Sequence, residues 1–273
     1  MHYLLALLFL VSCSSQPPAP VIDPVAAAGA PTYSSLVLDQ VAEHVRTHDK
    51  KAPRPVVLFD LDDTLFDVRT RNLPIFQAFA ADAEMKKRFP EATAKLERAK
   101  LADMRYEANA VFAQLDVRDI EALETFKAFW KERFFSNACA NDDVFPGAVA
   151  YTHRLHKLGA HIVYMSGRDI PNMKKGTLQA LTKRGFPMKN TTLVLKPEAK
   201  HDDFAFKQDA IAKVKALGTV VAAFENEPRN LNMMGEAFPK AVLVFLDTQH
   251  SPAPDAVTQE AHWVKNYLPT PNP

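Results

Sequence analysis

Five short apolar runs constrain the fold more than anything else in the chain: 56–59 (VVLF), 161–165 (HIVYM), 192–195 (TLVL), 219–224 (TVVAAF) and 241–246 (AVLVFL). Each is apolar on both faces and rich in β-branched or aromatic residues, the pattern of strands covered by helices on either side of a parallel sheet. Helical spacing fills the gaps over 147–158, 171–184, 204–217 and 228–237. A further helix is expected over 35–48, where Leu36, Leu38, Val41, Ala42 and Val45 follow the cap candidates Ser34 and Ser35. Strand and helix alternating in this way predict an α/β fold built on a doubly wound parallel sheet. In such sheets ligands meet the carboxyl ends of the strands, so the polar residues just after each run are the ones to inspect.

The stretch 69–141 breaks the alternation. It has no Gly, its only Pro are Pro74 and Pro90, and it is dense in Ala, Glu, Lys, Leu and Phe, a helical composition. Lying between the first two strand runs, it is expected to form an all-helical cap of three or four helices inserted into a Rossmann-like core of 34–68 and 142–273. Its aromatics, Phe76, Phe79, Phe89, Phe112, Phe126, Phe129, Trp130, Phe134 and Phe135, are expected to build mostly its own core, with some facing a substrate.

Residues 3–11 (YLLALLFLV) are uninterruptedly apolar but span only about half of the roughly 20 residues that cross a bilayer. They read as the core of a signal peptide over 1–12. The run ends in Leu10-Val11-Ser12-Cys13, which resembles a bacterial lipobox, although only His2 and the free amine precede it and no Lys or Arg does. The resemblance implies cleavage before Cys13 and lipid modification of Cys13, which would anchor the protein to a membrane of the bacterial cell envelope. Ser14 after that Cys is similar to the outer-membrane pattern, facing the periplasm. Residues 13–33 then act as a tether, with five Pro and five Ala among residues 14–31, able to reach on the order of 50 Å. Cys139, the other of two Cys, is left without a partner in the chain and is expected as a buried free thiol. With 33 Lys plus Arg against 32 Asp plus Glu, the charge balance predicts no polyanion partner such as a nucleic acid.

The first strand run opens directly into residues 59–67 (FDLDDTLFD), which place Asp60, Asp62, Asp63 and Asp67 within eight residues. Carboxylates that close raise one another's pKa unless a cation offsets them. A hard, oxygen-seeking divalent ion is the economical answer, and Mg2+ fits a site with few carboxylates and a phosphate substrate. The segment resembles D-x-D-x-T, the first motif of the haloacid dehalogenase superfamily of phosphotransferases. Three further motifs follow in order. Ser166, in 165–169 (MSGRD), is similar to the second. Lys207, in 204–208 (FAFKQ), looks like the third and sits near a helix start, whereas its competitors Lys196 and Lys200 fall in a loop. Residues 224–230 (FENEPRN) occupy the place of the fourth, with a departure: Asn226 stands where an Asp commonly binds metal, and Asn230 where a second acid often stands. An amide oxygen can coordinate Mg2+ but brings no charge.

The resemblance implies a Mg2+-dependent hydrolase of small phosphomonoesters that works through an aspartyl-phosphate. Asp60 would be the nucleophile and Asp62 the general acid and base. Thr64, Ser166, Gly167, Arg168 and Lys207 would surround the phosphate, and Asp60, Asp62 through its main-chain carbonyl, Glu225 and Asn226 would hold the metal. An acid at position 62 favours phosphate chemistry, since the family's dehalogenases lack one. Two other readings stay open: a catalytically weak or inactive lipoprotein that binds a ligand or partner, and a phosphomutase. Arg69, Arg71 and Arg168 are candidates either for a second anionic group or for structural ion pairs. His153 and His156 lack companions for a metal site, and no Gly-rich phosphate loop points to a kinase.

Overall fold

The computed structural model describes residues 32–252 and 256–269. The expected signal peptide, Cys13 and all of the tether before residue 32 lie outside the described residues. Among the described residues, no helix is long and apolar enough to cross a membrane. Helix α1 (Leu36–Arg46) leads into β1 (Pro55–Phe59), and the chain passes through the short strand β2 (Phe66–Asp67) into a helical insert. The insert holds α2 (Arg69–Ala81), α3 (Ala83–Arg88), α4 (Pro90–Leu96), α5 (Ala108–Gln114) and α6 (Ile120–Phe134), with 3-10 turns at Leu101–Asp103 and Asn137–Asn141. β3 (Asp143–Val144) brings the chain back and pairs antiparallel with β2. Strand and helix then alternate through α7 (Ala148–Lys157), β4 (His161–Asp169), α8 (Ile170–Arg184), β5 (Thr191–Lys196), α9 (Asp203–Lys215), β6 (Thr219–Glu225), α10 (Pro228–Ala237), β7 (Val242–Leu246) and β8 (His262–Val264).

The main sheet has the order β5-β4-β1-β6-β7-β8, and every pairing in it is parallel. From β1 the chain moves outward through β4 to β5, then crosses to the other side of β1 to lay down β6 to β8. The order therefore reverses between β1 and β6, which opens a crevice at their carboxyl ends. Alternate residues of β1 enter opposite cores: Val57 and Phe59 pack toward α1, α7 and α8, while Val56 and Leu58 pack toward α9 and α10. All four are fully buried, which is why the run is apolar at every position. The α/β, doubly wound class expected from the sequence is the class observed. The sixth strand, β8, was not expected; it has three residues of which only Val264 is buried, too short for periodicity to register.

Within the insert, Phe76, Phe79, Phe89, Phe112 and Phe126 form a core of their own. It is built from five α-helices rather than three or four. The Asp82 carboxylate accepts hydrogen bonds from Glu84 N and Met85 N and so starts α3, while Pro90 opens α4. These two stops divide a stretch that is helical in composition throughout. At the margin of that core Trp130 stacks on Phe134, with 4.4 Å between ring centres, and Phe135 meets both edge-on. The insert docks on α8, where Gly176 N donates to Asn137 Oδ1 at 2.7 Å. A Cβ at Gly176 would lie 2.6 Å from Asn137 O, so the approach requires glycine. Cys139, in the same turn, is a buried free thiol.

Candidate active site

β1 aims its last peptide into the crevice. Asp60 N donates to Phe224 O at 3.0 Å, which carries the sheet ladder one residue past β1 and places the Asp60 side chain at its mouth. The chain then folds back sharply. Leu61 O accepts from Leu65 N and Phe66 N, both at 2.9 Å, and Asp63 takes φ +55°, a left-handed conformation that Asp tolerates better than most residues. The Tyr267 hydroxyl donates to Thr64 O at 3.1 Å and the Thr248 hydroxyl to Asp63 O, so the turn is held from the sheet side.

Lys207, on α9, lies across the end of β1. Its ammonium donates to Asp60 Oδ1 at 2.7 Å and to Glu225 Oε2 at 2.7 Å, and all three groups are buried. Burial and the neighbouring Glu225 charge push the Asp60 carboxyl well up, against the pull of Lys207. Burial disfavours the Lys207 charge as well, but the two carboxylates outweigh it and hold the ammonium protonated. When both carboxylates are ionised they exceed the one ammonium by one negative charge. The competing lysines are elsewhere: Lys196 pairs with Asp203, and Lys200 sits on the surface beside Glu198 at 3.1 Å.

Asp62 belongs to a second charge cluster. Its Oδ1 accepts from Arg71 Nη2 at 2.8 Å and from Arg168 Nε at 3.0 Å and Nη2. Both guanidiniums also bind the fully buried Asp142, Arg71 through Nε and Nη2 and Arg168 through Nη2 at 2.8 Å. Burial opposes the charge on Asp62, but Arg168 and then Arg71 outweigh it and hold the carboxyl well below the ordinary carboxylate range. Of the three arginines considered for an anionic group, Arg71 and Arg168 are thus internal ion pairs, and Arg69 pairs with Asp67 at 2.6 Å. Asp142 carried no motif and was missed; its one signal is an acid at the end of the helical composition, opposite Arg71.

Asp60, Asp62, Ser166, Gly167, Arg168, Lys207, Glu225, Asn226 and Asn230 line one cavity of about 460 Å³ between the sheet ends and the insert. At Gly167 a Cβ would lie 2.6 Å from the Asp203 carboxylate, so a larger residue would have to displace that side chain at the α9 terminus. Thr64 is a correction. Its hydroxyl is fully buried away from this cavity and donates to Asn226 Oδ1 at 2.9 Å, so it orients the amide rather than facing a phosphate. Asn226 Nδ2 donates in turn to Gln249 O at 2.7 Å. Glu225 is fully buried with both oxygens engaged, Oε2 by Lys207 and Oε1 by Asn226 N and Glu227 N, each at 3.1 Å. As placed it is a counter-charge for Lys207 rather than an open metal ligand.

Among the described residues, no three His, Cys, Asp or Glu side chains are grouped as a metal cage. The donors left at the cavity floor are hard oxygens, chiefly the Asp60 carboxylate and the Asn226 amide. That set fits an ion held by few carboxylates and completed by water and substrate oxygens, as Mg2+ is.

Residues 55–237, more than half of the chain, match the family model described as haloacid dehalogenase-like hydrolase. The chain belongs to that family of hydrolases. No curated protein sequence matches it. Among solved structures it is similar to a dehalogenase, at 15% identity and a TM-score of 0.45 over 78% of this chain and 93% of the other. It is similar also to a putative phosphatase from Clostridium difficile, at 14% identity and a TM-score of 0.48 over 77% and 94%. The class C acid phosphatase from Bacillus anthracis with tungstate bound matches at 13% identity and a TM-score of 0.41 over 70% and 60%.

Proposed function

We propose that this hydrolase cleaves small phosphomonoesters through a covalent intermediate on Asp60. The observation that carries the reading is the buried Asp60–Lys207 contact of 2.7 Å at the end of β1, inside a cavity that also holds Ser166. A carboxylate oxygen of Asp60 attacks phosphorus, the bond from phosphorus to the leaving alcohol oxygen breaks, and that oxygen takes a proton. Water then attacks the aspartyl-phosphate, phosphate departs, and the Asp60 carboxylate is regenerated. Lys207 stabilises the attacking carboxylate and the transferred group, and Ser166 with the main chain at Gly167 binds phosphoryl oxygens. Asp60, Asp62 through its carbonyl and Asn226 are the residues that would hold Mg2+. The ion would supply positive charge to a phosphoryl group otherwise facing carboxylates.

Asp62 is the acid and base of this scheme, and its clamp sets a condition on it. Between Arg71 and Arg168 the carboxylate is ionised and can only accept a proton. Donation requires Asp62 to swing out of the clamp toward Asp60, where burial and like charge raise its pKa. The alternative of a ligand-binding lipoprotein without turnover draws on the uncharged Asn226. Phosphate release by the full chain from a panel of phosphomonoesters, with Mg2+ and with chelator, beside Asp60→Asn, separates the two. Mg2+-dependent release abolished by the substitution supports the hydrolase; no release from any ester leaves the binding protein, and transfer to a sugar phosphate indicates a mutase.

The lipid anchor on Cys13 and a place in the bacterial envelope, at the outer membrane facing the periplasm, complete the proposal. Fatty-acid labelling of wild type but not of Cys13→Ala supports it, and equal labelling sinks it.

A further inference from the structure

The cavity over Asp60 has a neighbour of the same volume, about 460 Å³, and Asn72, Tyr106, Trp130 and Phe135 line both. These four residues form a sill between an inner and an outer chamber. The sill is aromatic and fixed: Trp130 Nε1 donates to Asn72 Oδ1 at 2.8 Å, and the indole stacks on Phe134 with Phe135 edge-on at 5.7 Å. Phe76, Phe79, Phe89, Phe112 and Phe126 are buried, whereas Phe135 is 36% exposed and Tyr106 47% exposed. Large flat side chains left open along a cavity wall offer contact area that a ring can cover.

The charge reverses across this sill. The inner chamber is lined by carboxylates, among them Asp60, Asp62, Asp202 and Glu227. The outer one has Arg105, Lys127 and Lys131 against a single acid, Glu107. Lys131 has no ion-pair partner among the described residues, Lys127 pairs only with exposed Glu124, and Arg105 donates to the main-chain oxygens of Ala102 and Met104. The positive charge of the outer chamber is therefore largely uncompensated. Near the reacting centre Arg71 and Arg168 are bound by Asp62 and Asp142, while Arg229, stacked over Phe204 at 3.8 Å, is a single cation against the many carboxylates of the inner chamber.

We propose that the outer chamber is a leaving-group subsite for an elongated, planar aromatic alcohol, laid against Trp130 and Phe135, whose far end carries an anionic substituent facing Lys127 and Lys131. The proposal deepens the phosphomonoesterase reading and rests on it for the position of the scissile bond.

The test compares three esters on the full chain: glycerol phosphate, 2-naphthyl phosphate and 6-carboxy-2-naphthyl phosphate. The carboxylated ester is expected to exceed the plain naphthyl ester in kcat/KM by about fivefold, the upper worth of a partly exposed ion pair. Lys131→Glu, an exposed change that does not threaten folding, should abolish that preference. Trp130→Ala should lower both naphthyl esters against glycerol phosphate by about tenfold. A second arm needs no turnover: calorimetric titration with the product alcohols 6-hydroxy-2-naphthoate and 2-naphthol. Tighter binding of the naphthoate, lost in Lys131→Glu, supports the subsite even if no ester is hydrolysed, in which case the phosphatase reading alone falls. Equal affinity for the two alcohols, or a preference untouched by Lys131→Glu, overturns the subsite while leaving hydrolysis of the other esters to stand on its own.

Discussion

The Asp142 carboxylate offers the sharpest test of how the insert is bound to the sheet domain. It is fully buried and accepts from Arg71 Nε at 3.0 Å, from Arg168 Nη2 at 2.8 Å and from Arg71 Nη2. Together with Asp62 it makes the quartet neutral, two carboxylates to two guanidiniums. Asp142→Asn keeps the volume but leaves one positive charge in excess on two guanidiniums that are themselves buried. Removing one partner of a buried pair costs about 3–5 kcal/mol, and the partial compensation by Asp62 places this change near the lower end. Against a total stability of about 5–15 kcal/mol, that loss is large. Urea denaturation should show a lowered midpoint with an unchanged slope. Glu97→Gln, at the exposed pair with Lys86, should leave the midpoint in place. Arg71→Met combined with Asp142→Leu should cost less than the two single changes added together, because no charge is then left stranded. A midpoint for Asp142→Asn equal to that of the wild type would refute the reasoning, since it would mean the guanidiniums reach water or other partners.

Three more expectations concern the site and the insert. Lys207→Met should reduce phosphate release by about a hundredfold to a thousandfold in kcat, because the only ammonium on Asp60 is lost; unchanged kcat counts against Lys207 as a phosphoryl partner. The Asp60 carboxyl is raised by burial and Glu225, so it penalises the fold above its folded pKa and not below the ordinary carboxylate value of about 4. Mg2+ needs the ionised form, so its stabilisation of the fold should grow as the pH rises through the Asp60 titration and vanish on acidification, and a Tm gain independent of pH argues against Asp60 as a ligand. Phe126→Ala, at a fully buried ring 4.2 Å from Phe76, should cost about 3–5 kcal/mol by chemical denaturation, and a loss under about 1 kcal/mol contradicts an independent core in the insert.

Much of this architecture was legible because parallel strands buried on both faces leave an unbroken apolar trace. β1, β4, β5, β6 and β7 each fall on one of the five runs. β8 was not legible, since its sheet position depends on pairing with β7 rather than on any pattern of its own. The helices of the insert merged because 69–96 is helical in composition throughout: α3 buries none of its residues and leaves no stripe of its own, and Asp82 and Pro90 divide it from α2 and α4. At the site, Asp60, Ser166 and Lys207 are close in space because each follows or faces a strand end, a relation that chain order preserves. Roles set by partners were hidden. Nothing in the order of residues says that the Thr64 hydroxyl turns to Asn226, or that Arg71 and Arg168 share Asp142 with Asp62.

The two-stranded ribbon of β2 and β3 fixes where the helical insert leaves and rejoins the sheet domain. Phe66 faces Val144 and Asp67 faces Asp143, so the ends of a segment some 70 residues long are neighbouring rungs of one ladder. A module hinged at adjacent points can be lengthened, shortened or exchanged while the α/β scaffold keeps its register. The constraint on any such graft is electrostatic: it must bring its own substitute for Arg71, or the Asp62 carboxylate loses one of the two guanidiniums that hold it.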